Sequence, residues 1–598
     1  MRSFVLLLLA IAASALNVRL EAQKATIPSV GLHIKKTILM APGHYSLPTS
    51  DTNSIQNQGG VIVIEGKNIV VDLAGVVLNG AGKNPTFAPN QFDGIAIEIK
   101  PGSSHITIKN ATIKGYKIGI KADRVEALTI DNCDLSYNYR DALKSNFEKE
   151  DEDDWMSFHN NENNEWMRYG AGIYVTNCQN AVITENTVTN GQCGLMLTSC
   201  NNALVTDNNF SFNSGIGIGL YKSSYNNINH NTLDFNVRGY SYKKYRRGQD
   251  SAAILVFEQC NHNIFAYNSA THSGDGFFLW AGQTTMDTGL GGCNDNFIYG
   301  NDFSYAPTNG VEVTFSSNLI MKNTIKECDH GVWGGYSFET DITDNIFEGN
   351  RIAVAIEHGQ NINIALNRFK NDKTGIKLWS RETQPSDWKY PQLKNTDSKN
   401  YYIATNSFEN NNTVYDIMGT DSIYLSGNTK TNTGQRYTLG VRIHELDSTK
   451  ENEEVGLDYA IDKRLQKVKA TSTPLTSFRH GLEEIRITNW GPYNFDYPLI
   501  WLTNIDSTGR YHFEVLGNEA ASWRLHSISG FTMIDNLSGV FSATFTAVPI
   551  NNLDSKTATK NIVFEYTGPE YKNAFGVTQK SGSLFSFNSN KLPPTTTH

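Results

Sequence analysis

The sequence predicts an all-β protein whose main body is a parallel β-solenoid, and three observations support that fold class. An asparagine recurs through residues 172–428, most often every 22 residues, and the longer steps of 33, 37 and 39 residues each contain an insertion. Short alternating runs such as GVEVT and GIKLW precede these asparagines, and alternation at period two indicates a half-buried strand. No helical stretch separates the runs, so each repeat buries its apolar face against its neighbours. The repeated residues are Asn186, Asn208, Asn231, Asn268, Asn301, Asn323, Asn345, Asn367, Asn406 and Asn428.

The asparagine itself predicts the turn chemistry of each repeat. Asparagine tolerates left-handed backbone, and its amide can bond a stacked copy above and below. We therefore expect one stacked column of asparagines along an edge of the solenoid, in which Asn110 and Asn132 occupy the first two full positions.

This repeat, together with APGHY at residues 41–45, resembles the right-handed parallel β-helix proteins of the pectate-lyase-like class. That class includes many polysaccharide lyases and glycoside hydrolases, bacterial enzymes among them. The resemblance implies a right-handed parallel β-helix of about twelve rungs within residues 23–435, and the general handedness of parallel crossovers agrees with it. It implies little about chemistry, because the repeat is shared by many activities.

The N-terminus predicts export. Residues 1–22 combine one arginine, an apolar run from Phe4 to Ala12 and small residues at Ala15 and Ala22, which is typical of a secretory signal peptide. A membrane anchor is the alternative, but the run is shorter than the roughly 20 residues that span a bilayer. We expect a secreted, periplasmic or cell-surface protein without a membrane span.

The composition of the chain indicates which kinds of molecule the protein binds. The net charge is −9 and the isoelectric point about 5.9, which argues against a general nucleic-acid binder. Aromatic residues make up 11% of the chain, with 27 Tyr and 9 Trp. Aromatic faces suit both a protein core and sugar rings. We expect a monomer that binds a polysaccharide or oligosaccharide and no nucleic acid.

The seven cysteines are an odd number, so at least one stays unpaired in a monomer. Cys178 and Cys200 lie 22 residues apart at one repeat position, and Cys260 recurs there two coils later. This spacing favours a ladder of small buried residues, with a disulfide between Cys178 and Cys200 as the alternative. No Cys-x-x-Cys spacing occurs, so we predict no metal site.

The periodicity ends after Asn428. Residues 436–475 are charged and partly helical in pattern, which predicts a linker with a short helix. Residues 476–598 return to strand signals separated by Gly, Asn and Asp, and this pattern predicts an accessory β-sandwich with a loose C-terminal tail.

A groove is predicted on one face of the solenoid. If the Gly or Ala that opens a strand is position zero, positions one and three are apolar and point inward, so positions two and four point outward. The insertions at 138–169 and 237–250 enter before a strand, and those at 281–292 and 381–397 enter after one, so they would wall both edges of the outward face.

The outward positions support two interpretations. On the coils that open at Ala253, Gly276, Gly310, Gly331 and Ala353, the outward residues are aromatic with a few charges, where a solvated face would carry Thr, Ser, Lys and Asn. The first interpretation is a polysaccharide groove. The second is a core beneath the insertions, formed by four apolar residues: Leu255, Phe257, Phe278 and Trp280.

Three acids on this face are candidate catalytic residues. Glu312 lies outward between coils that carry Phe278 and Trp333, and an apolar setting raises the pKa of a carboxyl group, as a general acid requires. Glu357 lies two coils on and two residues along, so strand geometry places the two Cα atoms about 12 Å apart. Their carboxylates could then reach the roughly 6.5–9.5 Å of an inverting glycosidase. Asp275, on the coil adjacent to Glu312, is the alternative partner.

Further residues are candidates for binding substrate because they are aromatic, basic or imidazole side chains on or beside this face. Arg246 belongs to the basic and aromatic loop 237–250, which could bind carboxylates or sulfates on a sugar. The candidates are Trp280, Trp333, Phe278, His272, His330, His358, Arg246, Lys377 and Trp379.

Three functions remain open at this stage. The first is an exported glycoside hydrolase that uses paired carboxylates and no cofactor. The second is a polysaccharide lyase on a uronic-acid polymer, in which the basic loop 237–250 or Ca²⁺ neutralises the substrate carboxylate. The third is a carbohydrate-binding or surface solenoid without catalysis.

Overall fold

The computed structural model describes residues 25–49, 59–81, 88–147, 149–241, 244–245, 250–434, 443–445, 468, 479–550 and 559–589. The predicted signal peptide at 1–22, the loop residue Arg246 and nearly all of the predicted linker at 436–475 lie outside these residues.

The N-terminal part is a right-handed parallel β-helix in which each coil contributes strands to stacked parallel sheets. The first sheet comprises β1 (Leu32–Ile34), β4 (Ile62–Ile64), β7 (Ile95–Ile99), β10 (Ile118–Asp123), β12 (Ala171–Thr176), β14 (Cys193–Thr198), β16 (Ile216–Tyr221), β18 (Ala252–Phe257), β20 (Asp275–Trp280), β22 (Asn309–Thr314), β25 (His330–Trp333), β28 (Ile352–Glu357), β31 (Thr374–Trp379) and β34 (Thr413–Met418). Its 14 strands exceed the about twelve predicted rungs, because the first coils carry no ladder asparagine.

The second sheet follows the first around each coil. It comprises β2 (Ile38–Leu39), β5 (Lys67–Asp72), β8 (Ser104–Lys109), β11 (Glu126–Asp131), β13 (Val182–Thr184), β15 (Leu204–Thr206), β17 (Asn227–Asn229), β19 (Ile264–Ala266), β21 (Asn296–Tyr299), β23 (Asn318–Met321), β26 (Asp341–Thr343), β29 (Gln360–Ala365), β32 (Ser398–Ala404), β35 (Thr420–Ser426) and β37 (Ile443–Glu445). Because β37 pairs with β35, the solenoid extends past the predicted boundary at residue 435.

Shorter strands form the third side of the coil at its two ends. They are β3 (Gly43–Ser46), β6 (Val76–Asn79) and β9 (Thr112–Lys114), then β24 (Thr324–Lys326), β27 (Ile346–Glu348), β30 (Arg368–Lys370), β33 (Ser407–Glu409) and β36 (Thr429–Thr431). The described helices are α1 (Gln283–Thr288), α2 (Tyr390–Leu393) and the 3₁₀ turns Pro89–Gln91, Glu152–Asp154, Glu165–Tyr169 and Leu482–Glu484. None of these helices is long and apolar enough to cross a membrane.

The predicted asparagine column is confirmed from Asn186 to Asn428. Each side-chain Nδ2 donates to the Oδ1 of the next asparagine at 2.9–3.0 Å. Each Oδ1 also accepts the backbone N–H of the preceding ladder asparagine, as Asn208 does from Asn186 at 2.9 Å. These buried amides therefore satisfy one another along the solenoid.

Two details of that prediction are wrong. The left-handed backbone belongs to the residue before each ladder asparagine, such as Glu185 at φ 55°, while the asparagine amide points inward to satisfy buried groups. Asn110 and Asn132 occupy that left-handed position themselves and bond each other at 2.8 Å on the surface. The ladder position on the coil of Asn132 is instead Cys133, whose backbone N–H donates to Oδ1 of Asn186.

The interior of the solenoid is a continuous apolar core. Positions one and three of the first sheet point inward as predicted, so Ile173, Phe277, Val311 and Val354 are fully buried within one cluster. The seven cysteines are buried free thiols. Cys260 belongs to a turn ladder in which its thiol accepts the N–H of Ser223 at 3.2 Å, so the ladder interpretation accounts for these residues.

The C-terminal part is a two-layer antiparallel β-domain. One layer holds β40 (Leu499–Ile505), β41 (Tyr511–Leu516), β45 (Ala543–Pro549) and β43 (Phe531–Ile534); the other holds β44 (Ser538–Val540), β42 (Ser522–Ser529), β46 (Asn561–Thr567) and β49 (Leu584–Asn588). Two hairpins complete it, β38 (Ile487–Thr488) with β39 (Gly491–Pro492) and β47 (Tyr571–Lys572) with β48 (Thr578–Gln579). Phe513, Trp523 and Phe564 lie in the apolar core between the layers, as expected of a β-sandwich.

The C-terminal domain docks on the side of the solenoid through aromatic residues. Phe235 is buried with Ile485 and Ile487 in a shared apolar cluster. The Tyr305 hydroxyl lies 3.0 Å from Nδ1 of His480. The domain therefore packs on an edge of the coils and leaves the outer face of the first sheet to other segments.

A second amide ladder contains one carboxylate. Asp372 is fully buried, and its Oδ1 accepts the backbone N–H and the Nδ2 of Asn350 at 2.8 and 2.9 Å. Its Oδ2 accepts the Nδ2 of Asn411 at 3.2 Å, which leaves Oδ1 of Asn411 buried without a hydrogen-bond partner. Burial raises the pKa of Asp372 to about 7.

This raised pKa predicts a pH-dependent stability. Stability from a carboxyl group with a raised folded-state pKa is complete below its unfolded pKa and is lost as pH rises through the folded value. The wild type should thus lose stability between about pH 4 and pH 7. Asp372→Asn, which can donate to Asn411, should remove that loss and gain on the order of 2 kcal/mol at pH 8.

Thermal unfolding midpoints at pH 5 and pH 8 measure this effect. The exposed Asp344→Asn serves as the control and should leave the pH dependence unchanged. Equal pH dependence in Asp372→Asn and wild type would contradict the prediction.

Candidate functional site

The outer face of the first sheet carries a column of five residues at one register. Phe278, Glu312, Trp333, Ala355 and Lys377 lie opposite one another on successive strands from β20 to β31. Glu312 is therefore flanked by Phe278 and Trp333 in the arrangement that the alternation predicts. The column runs across the strands, along the axis of the solenoid.

Segment 138–169 does not form a wall beside a groove. It folds over the outer face of β12–β18, where Phe158 and Trp166 are fully buried with their ring centroids 5.4 Å apart. Leu255 and Phe257 belong to the same apolar cluster. The core interpretation is therefore correct for these two residues, because the segment supplies enough apolar area to cover the face.

The open part of the face begins at β20. Phe278 and Trp280 pack against the edge of the covered cluster but stay half-buried. The exposed His159, on the covering segment, lies edge-on to Trp280 with ring centroids 5.1 Å apart. Trp280 thus marks the boundary between covered and open face.

Two acids meet through one asparagine at the start of β22. Asp275 Oδ1 accepts the hydroxyl of Thr308 at 2.6 Å and the backbone N–H of Asn309 at 2.8 Å. The side-chain Nδ2 of Asn309 donates to Oε2 of Glu312 at 2.8 Å. A single residue therefore binds both carboxyl groups.

Burial shapes the protonation of this pair. It raises the pKa of Glu312 well above its usual range, and the charges of Asp275 and Asp250 raise it further. Burial also raises the pKa of Asp275, to about 6, against the opposing hydrogen bonds from Thr308 and Asn309. The two neighbouring carboxyl groups therefore favour a state that shares one proton between them near neutral pH.

An imidazole and a guanidinium extend the network. His330 Nδ1 lies 3.0 Å from Oδ1 of Asn309, and its Nε2 lies 2.8 Å from Nη2 of Arg351. Arg351 also donates to both oxygens of Asp329, at 2.5 and 2.8 Å. Burial lowers the pKa of His330 to about 4, so this imidazole is neutral at physiological pH.

Glu357 lies on the same outer face as Glu312, as predicted, but its carboxylate has structural partners. It is 3% exposed, and its Oε1 accepts Nε1 of Trp379 at 2.8 Å and Nε of Arg381. Asp275, the alternative partner named from the sequence, has no ion pair of this kind among the described residues. The contact of Glu357 with Arg381 comes from an irregular insertion, which periodicity does not describe.

Two tryptophans and a lysine continue the open face. The rings of Trp333 and Trp379 lie 5.5 Å apart by centroid, and both are half-buried. Lys377 places Nζ 5.0 Å from the ring centroid of Trp379 and 3.9 Å from the carboxylate of Asp416. These flat apolar surfaces with nearby charges are suited to sugar rings.

Two predicted binding histidines are buried instead. His272 is 0% exposed and stacks between Phe235 and Tyr305 at the interface with the C-terminal domain. His358 is 4% exposed, and its Nδ1 lies 2.7 Å from the carbonyl of Thr396. Both corrections have one cause, because flanking segments cover these histidines. Arg246 lies outside the described residues.

The insertions at 281–292 and 381–397 form the wall at the carboxyl ends of the strands. Helices α1 and α2 lie in these insertions and contact each other. Tyr390 of α2 packs on Phe315 with ring centroids 4.9 Å apart. A polar cavity of about 490 Å³ lies beside this wall, and Arg381 and Lys399 contribute to its lining.

The described part of loop 237–250 is largely structural. Arg238 is 3% exposed and donates to the carbonyl of Asp154 at 2.9 Å. Tyr240 is buried in the cluster shared with the C-terminal domain. Lys244 places Nζ 5.5 Å from the ring of Phe147. These contacts join the loop to segment 138–169 and to the C-terminal domain.

Sequence reasoning missed Asn309 and Arg351. Asn309 opens β22 directly opposite Asp275 and His330, as the register of the three strands shows. Asparagine is so common at turns of this chain that its position carried no signal. Arg351 lies just before the strand of its coil and is not one of the alternating positions that point outward. The alternation could therefore not identify it.

The protonation of the acids predicts opposite stability effects for two matched substitutions. Glu312→Gln removes a buried carboxyl group whose raised pKa makes its ionisation unfavourable, so it should stabilise the protein by about 1–2 kcal/mol at pH 8 and by less at pH 5. Glu357→Gln weakens the pairing with Arg381 and should destabilise it by about 1–3 kcal/mol. Thermal unfolding at both pH values measures the two effects. Destabilisation by Glu312→Gln would refute the assigned protonation.

Comparison with known proteins places the fold in a family context. Residues 103–305 match the family described as periplasmic copper-binding protein (NosD), and residues 247–387 match the one described as right handed beta helix region. Among the described residues, no group of three or more His, Cys, Asp or Glu side chains is arranged to hold a metal ion. No curated protein matches the sequence.

Several solved structures are similar to this chain at low identity. The A-module of a mannuronan C-5 epimerase from Azotobacter vinelandii is 11% identical over 69% of this chain and 91% of that one, with a TM-score of 0.28. A mannuronic acid specific polysaccharide family 6 lyase from human gut microbiota is 12% identical over 73% and 90%, with a TM-score of 0.33. An alginate lyase from Paenibacillus sp. str. FPU-7 is 13% identical over 57% and 93%, with a TM-score of 0.27. The matching helix region and the stacked parallel sheets identify this chain as a right-handed parallel β-helix protein.

Proposed function

We propose that the protein is an exported polysaccharide-active enzyme, a glycoside hydrolase in which Glu312 is the general acid. One observation carries this proposal. Glu312 is a half-buried carboxyl group beside a second acid, and burial raises its pKa well above the usual range. A carboxyl group that keeps its proton at neutral pH in a groove is the feature that acid catalysis of glycoside cleavage needs.

Glu312 and Asp275 have different roles in the proposed hydrolysis. Glu312 donates its proton to the glycosidic oxygen as the bond to the anomeric carbon breaks. Asp275, ionised when Glu312 is protonated, accepts a proton from the water whose oxygen bonds to the anomeric carbon. The net reaction adds one water across the linkage. The hydrogen bonds from Thr308 and Asn309 hold Asp275 in place.

The open face supplies the binding surface. Phe278 and Trp280 lie on one side of Glu312, and Trp333 and Trp379 lie on the other. Sugar rings stack on such faces through their apolar C–H groups, and hydroxyl groups bond to charged neighbours such as Lys377. The predicted signal peptide and the periplasmic description of the matched family support export.

A polysaccharide lyase is the alternative. It depends on the basic residues of loop 237–250, most of which, Arg246 included, lie outside the described residues. The proposed hydrolase needs neither this loop nor Ca²⁺. A binding solenoid without catalysis is the remaining alternative, and the experiment below separates all three.

Glu312→Gln should lower turnover by at least ~100-fold, because a general acid contributes ~10²–10⁴-fold. The wild type is first incubated with a panel of polysaccharides, and products are followed by chromatography, by new reducing ends and by the ultraviolet absorbance of unsaturated sugars. Hydrolysis yields reducing ends without that absorbance, and a lyase yields both.

The control is Glu357→Gln, which removes a carboxylate from the same face and should retain most activity per folded molecule. Wild-type turnover in Glu312→Gln would disprove the assignment of the acid. Binding of glycans with no product from any of them would favour the solenoid without catalysis.

A further inference from the structure

The groove has a closed end close to the acids. Segment 138–169 covers the outer face as far as β18, and the first open strand, β20, is adjacent to the strand that carries Glu312. Neighbouring strands lie about 4.8 Å apart, so the open face on this side of Glu312 has room for roughly one or two sugar rings.

The covering segment is fixed in place by polar contacts as well as by its apolar core. Asn161 Nδ2 donates to Oγ1 of Thr198 at 2.7 Å. Glu162 accepts the hydroxyl of Tyr221 at 3.0 Å and pairs with Lys222 at 2.5 Å. Together with the buried Trp166, these contacts fix the segment over the outer face, where it closes one end of the groove.

A polymer lying along the column from Phe278 to Lys377 would meet this wall. Beyond Trp280 the floor of the groove is occupied by Phe257 and by the ring of His159, whose centroids lie 5.5 and 5.1 Å from that of Trp280. The interior of a long polymer cannot continue along the column beyond this point. The end of a polymer, in contrast, can bind in the column and stop there.

We propose that the enzyme cleaves its polysaccharide from a chain end, with the terminal sugar held between Glu312 and the wall at Trp280 and His159. This inference rests on the proposed hydrolase function. It identifies the substrate as a free polymer terminus and the product as a mono- or disaccharide. The hydrolytic step is unchanged, with one water added across each terminal linkage.

The test follows product size early in the reaction on a substrate that the wild type cleaves. Chain-end cleavage should release small sugars from the start while the polymer keeps its length and viscosity. The same polymer with both ends covalently blocked should react at least ~10-fold more slowly, since each 1.4 kcal/mol of lost binding is a factor of ten. Glu312→Gln supplies the background rate.

The outcomes separate this inference from the proposed function. Early fragments of intermediate size, with a rapid fall in viscosity and full activity on end-blocked polymer, would overturn chain-end cleavage and leave the hydrolase intact. No product from any polymer would overturn both.

A second inference comes from the direction of the hydrogen bonds at Glu312. A guanidinium only donates, so Nε2 of His330 accepts from Arg351 and the imidazole proton resides on Nδ1. Nδ1 then donates to Oδ1 of Asn309, and the Asn309 amide presents its Nδ2 to Oε2 of Glu312. Every donor in this series of hydrogen bonds points toward the carboxyl group of Glu312.

We infer that Asn309 and His330 are positioning residues that confine the proton of Glu312 to its Oε1 atom. Oε2 always accepts from Asn309, and no described residue forms a hydrogen bond with Oε1. The proton is thereby held on the oxygen free to face substrate. After the proton leaves, the same bond stabilises the carboxylate.

Other charged groups surround this series of hydrogen bonds. Asp275 and Asp250 face Glu312 from the preceding coil and its leading segment. Asp329 approaches Nδ1 of His330 at 3.5 Å, and Lys377 contributes a positive charge at that imidazole. Any shift in the pH profile must therefore be compared with a variant that preserves the hydrogen bonds.

His330→Gln is that variant, because its amide can accept from Arg351 and donate to Asn309. Asn309→Ala and His330→Ala should move the basic limb of the kcat/KM profile to higher pH and lower the rate at neutral pH by about 10-fold or more, while His330→Gln restores both. An unchanged basic limb in Asn309→Ala would overturn the role.

Nitrogen NMR of ¹⁵N-histidine-labelled protein tests the direction of these hydrogen bonds without any substrate. His330, assigned from the spectrum of His330→Gln, should remain the neutral Nδ1–H tautomer from pH 5.5 to 8. The Nε2–H tautomer, or protonation within that range, would overturn the inference even if the hydrolase function holds. Correct tautomer without activity would instead contradict the proposed function.

Discussion

The buried asparagine ladder is the interaction on which the rest of this structure depends. A solenoid turn leaves backbone N–H and C=O groups inside the protein, where each unsatisfied group is destabilising. From Asn186 to Asn428 each side-chain amide donates to a carbonyl of the preceding coil, and from Asn186 to Asn406 each also donates to the amide oxygen of the next asparagine. The ladder fixes the register of adjacent coils, so residues separated by one repeat lie one strand spacing apart whatever the insertions between them.

The outer face of the first sheet is not needed to hold the coils together, so its side chains can take part in binding and catalysis. Inward positions are filled by apolar residues and turns by the amide ladders, whereas the outward positions carry no structural duty until another segment covers them. Where segment 138–169 covers them, they are mostly apolar. Where they are open, Glu312, Trp333 and Lys377 appear. Burial raises the pKa values of the two acids, Asp275 and Glu312.

The fold and the column around Glu312 could be predicted from sequence because both follow from short-range periodicity. Period two assigns the face of each strand, and the 22-residue step assigns its neighbour. The partners of each acid could not be predicted. Arg381 reaches Glu357 from an irregular insertion, and His272 is buried by a domain more than 200 residues away. Such contacts depend on how non-repeating segments fold back, and periodicity contains no information about that.

The stacked rings at the domain interface carry a practical consequence for anyone who divides the chain. Phe212, Phe235, His272 and Tyr305 form a continuous aromatic stripe along four coils. Phe495 and His480 of the C-terminal domain pack against this stripe. A truncated solenoid would present this stripe to water. Exposed apolar stripes on repetitive scaffolds promote self-association, so the solenoid and its C-terminal domain belong together as one unit of expression and purification.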